Sequence, residues 1–169
     1  SVVKWTDLIA NWDAVRVMKF LNALFSKYDE LLHEFPAITK VKTIGHIYMI
    51  AGGLFNDSSV NSAAVVTNYA VKMLEIVKHL NEELKIDFTI TAGVNTGGPI
   101  NCGILGHTRP VFDILGDVVN VSSRMNSFSL PGYIQISEAT YNCIKYLDFN
   151  IRERGEIMIK GKGNMKTYL

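Results

Sequence analysis

The stretch Lys42-Thr-Ile-Gly-His-Ile-Tyr-Met-Ile-Ala-Gly-Gly53 sets His46 in a tight turn between two apolar runs. A turn between paired strands sits on a rigid scaffold that can aim its side chains into a cleft, so His46 is either a working group or a substitute for one that has been lost. Asp113 lies inside the apolar strand Val111-Phe-Asp-Ile-Leu115, where a carboxylate without a partner is costly. Asn120 and Arg124 follow at a spacing that puts amide and guanidinium one turn apart on one helix face. An isolated helical arginine is ordinarily a surface residue. Near the end, Ile159-Lys-Gly-Lys-Gly163 carries Lys160 and Lys162 among glycines that let the backbone turn closely past a ligand. Cys102 and Cys143 lack CxxC spacing and sit in apolar surroundings, which reads as buried, reduced thiols.

The elements that must position these residues follow from periodicity. Ser1-Val2-Val3 reads as the end of a strand. Asp13 can cap a helix whose apolar stripe runs Val15, Met18, Leu21, Leu24, Phe25, Tyr28, Leu31 and Leu32, and Phe35-Pro36 ends it. Ile38 to Ile44 and Ile47 to Ala51 form a hairpin around Gly45-His46. The loop Asn56-Asp-Ser-Ser59 leads into a second helix with Val65, Val66, Tyr69, Met73, Leu74, Val77 and Leu80 inward. Phe88 to Val94 and Val111 to Leu115 are strands that flank a glycine-rich segment from Gly97 to Gly106. A short helix from about Asp117 to Met125 carries Asn120 and Arg124. Tyr133 to Ile136 is a buried strand, Ser137 caps another helix, and Phe149 to Ile159 and Lys166 to Leu169 close the sheet. The order implies one α+β domain over residues 1–169, a mixed sheet covered by helices on a ferredoxin-like βαββαβ core.

Composition narrows the class. The 169 residues are 48% hydrophobic and 20% charged with a formal net charge of +1, which suits a globular domain and gives no electrostatic footprint for nucleic acid. No apolar run approaches the ~20 residues that span a bilayer. The chain begins at Ser1 without an initiator Met, so the expectation is a cytoplasmic domain excised from a larger protein, with any membrane anchor outside it.

Four segments, "KVKTIGHIYMIAGGL", "AGVNTGGPINCGILG", "VFDILGDVVNVSSRM" and "RGEIMIKGKGNMKTYL", resemble in order and spacing the catalytic domain of class III nucleotidyl cyclases, the adenylyl and guanylyl cyclases. The likeness runs the length of the chain. One departure is Gly97-Gly98-Pro99, where the family usually has a single glycine before proline. The resemblance implies two domains packed head to tail, with sites at their interface. There the ribose 3′ oxygen of a nucleoside triphosphate attacks its own α-phosphorus and expels pyrophosphate. One surface brings two aspartates that hold two Mg or Mn ions; the other brings base readers, an asparagine, an arginine and a phosphate-binding lysine.

The metal aspartates belong to F-x-D-I-x-G-F-T and T-I-G-D. "SVVKWT" puts Ser1 at the first and "TIGH" puts His46 at the second, so neither carboxylate is present. Mg²⁺ takes hard oxygen ligands with one or two carboxylates, and a two-metal displacement holds both attacking and leaving oxygens. This chain is therefore expected to bind no metal and to rely on a metal-bearing partner domain, in the same polypeptide or another. The second set matches the family. Lys42 and Asp113 stand at the base-reading positions, and a lysine donor with an aspartate acceptor fits N1 and the 6-amino group of adenine, whereas guanine reverses both. By resemblance Asn120 orients the ribose, Arg124 stabilises charge on the α-phosphate, and Lys160 grips the triphosphate, with Lys162 as the other candidate. The expected function is the adenine-reading half of an adenylyl cyclase converting ATP to cyclic AMP, inactive alone and able to homodimerise in isolation. The alternative is a non-catalytic domain that binds ATP or supports regulatory dimerisation.

Overall fold

The structure is a computed structural model that describes residues 1–55 and 60–169; the loop expected over Asn56-Asp-Ser-Ser59 lies outside the described residues. A short helix α1 (Trp5–Ile9) precedes α2 (Ala14–Leu31). Asp13 caps α2 as its spacing predicts, its carboxylate accepting from the Arg16 amide at 2.7 Å, and a 3-10 turn over Leu32–Glu34 ends it. The core stripe of α2 is Phe20, Leu24, Tyr28 and Leu31. Val15 and Met18, expected inward, are 63% and 64% exposed. Phe20, outside the expected stripe, is buried instead, against Trp5, Trp12 and Phe88, an aromatic cluster assembled from other elements that helical periodicity alone does not see.

The hairpin β1 (Ile38–Ile44) and β2 (Ile47–Gly52) forms around Gly45-His46. α3 (Ser62–Leu84) then packs on α2, burying Tyr69, Met73, Val77 and Leu80 as expected, with Ala63, Thr67 and Ala70 in addition. Regular pairing in the segment from Phe88 onward is confined to β3 (Ala92–Val94), and the strand expected at the start of the chain is reduced to a bridge between Val2 and Ile90. Residues 1–3 nevertheless join two parts of the molecule: the Val2 amide donates to the His46 carbonyl and the Val3 amide to that of Thr89.

β4 (Asn101–Leu105) and β5 (Val111–Leu115) form an antiparallel ladder whose first strand is exposed throughout. Cys102 therefore lies exposed on β4, and Cys143 is exposed on α5 (Glu138–Ile144); both correct the expectation of buried thiols, which took apolar neighbours in sequence for a core. α4 (Asp117–Phe128), β6 (Ile134–Ser137), β7 (Glu153–Ile159) and β8 (Gly163–Tyr168) complete the chain. The strands order as β3-β6-β8-β7, with β3 and β6 parallel and the rest antiparallel. The α+β architecture with a mixed sheet and covering helices is thus as expected. Its sheet is divided, one four-stranded piece and two two-stranded ladders, because loops rather than paired residues fill parts of the expected strands.

Candidate active site

The first pair of candidate residues meets. The Lys42 ammonium lies 2.6 Å from Asp113 Oδ2, and the other carboxylate oxygen accepts from the Ile114 amide at 2.8 Å. The two donors, Lys42 first, hold the Asp113 carboxyl below its ordinary range. A bulge makes the meeting possible. Lys40 pairs with Ile50 and Lys42 with Met49, which leaves Val41 as an extra residue in β1. Val41 turns into a small apolar cluster with Ala51 and Ile114, while the partly buried Lys42 faces Asp113 on β5. Bulges re-aim side chains in this way.

The second pair rides on α4. Val121 and Met125 are buried against Ile157, Ile159 and Met165, so Asn120 and Arg124 fall on an exposed face. Among the described residues neither side chain has a hydrogen-bond or ionic partner within the chain. The helix beneath them is held firmly. Ser122 donates to the Gly93 carbonyl and Asn95 to that of Val118, both at 3.1 Å. Gly93 is the reason α4 can lie so close: a Cβ there would stand 2.0 Å from the Asn126 amide nitrogen. Gly116, with φ 150°, turns the chain between the strand bearing Asp113 and the helix bearing Asn120.

The turn between β7 and β8 holds both lysine candidates, Lys160 and Lys162, exposed. Lys162 forms an ion pair with Asp117 at the start of α4, whereas Lys160 has no ionic partner among the described residues. Asp117 is a residue that sequence reasoning passed over; the acid in the first turn of a helix was the available signal, although that position is ordinary for helix electrostatics.

Ser1 and His46 are brought to one side of the molecule through the Val2–His46 backbone bond. The imidazole lies almost parallel to the Trp5 ring, centroids 5.1 Å apart at 13°, and burial there lowers its pKa. Lys4, at the glycine of the D-I-x-G-F-T pattern, adopts the left-handed conformation with φ 47°. Two divalent cations do not fit this face: it offers a hydroxyl and a stacked imidazole, and among the described residues no group of three His, Cys, Asp or Glu converges.

Comparison with known proteins finds one family along the whole chain. The family described as "Adenylate and Guanylate cyclase catalytic domain" matches residues 1–169. The chain is 35% identical over 169 residues to the human guanylate cyclase soluble subunit beta-2, covering 99% of this chain and 27% of that protein. It is 36% identical over 160 residues to adenylate cyclase type 9 of Gallus gallus, covering 89% of this chain and 12% of that protein. It therefore spans about a quarter or less of these relatives' length. Among solved structures, the guanylate cyclase domain of RhGC from Catenaria anguillulae in complex with GTP superposes with a TM-score of 0.89 at 31% identity, covering 99% of this chain and 90% of that one. No described helix is long and apolar enough to cross a membrane.

Proposed function

The chain belongs to the adenylate and guanylate cyclase catalytic-domain family, and on that premise we propose that it is the adenine-reading half of an adenylyl cyclase. Lys42 donates to adenine N1 and Asp113 accepts from the 6-amino group. Asn120 orients the ribose, Arg124 stabilises the charge that grows on the α-phosphate, and Lys160 holds the triphosphate. The two Mg or Mn ions are carried by a partner cyclase domain and supply charge neutralisation at the phosphates. The domain works in the cytoplasm, at an interface to which each half contributes what the other lacks.

The observation that carries the adenine reading is the Lys42–Asp113 contact at 2.6 Å, a donor and an acceptor side by side in the polarity that adenine requires. Relatives of both nucleotide preferences match this chain, so the base must be argued from these two side chains. Guanine would face a donor with a donor and an acceptor with an acceptor, leaving polar groups mispaired. The test is a complex of this chain with a metal-bearing cyclase half. Lys42→Glu combined with Asp113→Cys should lower the ratio of kcat/KM for ATP over GTP by about a hundredfold or more. An unchanged ratio removes the base assignment.

A further inference from the structure

Two residues before Lys42, on the other side of the bulge, Lys40 is tied to α2. Its ammonium lies 2.7 Å from Asp29 Oδ2. The other oxygen of the same carboxylate accepts from the Tyr48 hydroxyl on β2 at 2.5 Å. Lys40 also sits over the Tyr48 ring, 5.1 Å from its centroid. Tyr48 is itself buried, edge-on to Tyr28 at 5.3 Å. One helix carboxylate thus grips both strands of the hairpin beside the single extra residue that turns Lys42 toward Asp113.

We propose that Asp29 and Lys40 are positioning residues for base selection: through the Asp29–Lys40–Tyr48 clamp they fix the bulge at Val41 and so the aim of Lys42. This rests on the reading of Lys42 and Asp113 as the base readers. Neither Asp29 nor Lys40 touches the base. A bulge is a local register choice, and a strand released from the helix can redistribute its extra residue. Lys42 would then lose its alignment on a planar edge that tolerates little displacement. A plain structural contact would change stability and leave ATP and GTP affected alike. A clamp that aims Lys42 changes their ratio.

The test uses the complex with a metal-bearing half, with kcat/KM measured for ATP and GTP and thermal protection by each nucleotide as the second readout. Asp29→Asn keeps an acceptor for Tyr48 and removes the charge that holds Lys40. Lys40→Met keeps the apolar stem over the ring and removes the other charge, at an exposed position where folding is safe. Each should lower the ATP/GTP ratio by about tenfold, while Lys40→Arg, which keeps the ion pair, should restore most of it. A ratio within twofold of the parent in Lys40→Met, with Lys42→Glu/Asp113→Cys still collapsing it, overturns this inference and leaves the base assignment standing. A ratio unmoved in the Lys42/Asp113 double variant overturns both. Loss in Lys40→Arg equal to that in Lys40→Met also counts against the clamp, since the charge pair is then not what acts.

Discussion

At the scale of single residues, charge and exposure separate the groups that could act on a ligand from those that hold the fold. Arg124 is exposed on α4 with no partner of its own among the described residues, so its guanidinium is free to meet an incoming phosphate. Under the proposed function, Arg124→Ala in the two-domain complex should lower kcat roughly a thousandfold, by analogy with arginines at other phosphoryl-transfer sites, with a much smaller change in KM. Steady-state kinetics with ATP give both. His46 carries a different prediction. Burial against Trp5 lowers its pKa from 6.5, so the unfolded chain takes up the proton before the folded one does. Acidification through the window from 6.5 downward therefore favours unfolding, and stability rises again as pH increases. The melting temperature should fall across that window, and His46→Gln should flatten this part of the profile.

At the scale of elements, close packing decides where α4 can lie. β3 and α4 touch at Gly93, where an added Cβ meets backbone rather than a movable side chain. Gly93→Ala should cost about 3 kcal/mol or more in denaturant unfolding, and it should impair turnover in the complex by displacing the helix that bears Asn120 and Arg124. The β7–β8 turn gives a sharper contrast. Asp117 engages Lys162, so under the proposed function Lys160 is the lysine available to the triphosphate. Lys160→Ala should raise KM for ATP about tenfold or more, in keeping with a lost charge-assisted hydrogen bond, and Lys162→Ala should raise it distinctly less. Much of this was legible in the sequence. Caps at Asp13 and Ser137, the Gly45-His46 hairpin and the helix bearing Asn120 and Arg124 all follow from local signals, and those signals act over a few residues. The bulge at Val41, the Trp5–His46 stack and the Lys162–Asp117 pair were not legible, because each depends on residues distant in the chain or on a register that only tertiary packing selects. Val15 and Met18 were misread for the same reason: periodicity finds a helix, but its rotation is chosen by what it packs against.

At the scale of the whole molecule, the chain is expected to be incomplete as a catalyst. Under the proposed function the chain alone, and also as a pair of identical copies, presents Ser1 and His46 at the two positions expected for metal-binding carboxylates. The purified domain should therefore make no cyclic AMP with Mg or Mn. Titrating in a metal-bearing half should restore turnover that saturates with the partner; robust turnover by the domain alone removes the partner requirement. The Lys42–Asp113 contact has a consequence for how such a molecule can change over time. The Lys42 ammonium and the Asp113 carboxylate neutralise each other. Replacing Lys42 alone with glutamate sets two carboxylates against each other, and replacing Asp113 alone with cysteine strands an ammonium in a half-buried site. Under the proposed base assignment, either single step serves adenine and guanine poorly. On that assignment a lineage crossing from one base to the other through these positions takes both steps together or passes through a form that reads neither base well, and a contact of 2.6 Å becomes a barrier between two signalling currencies.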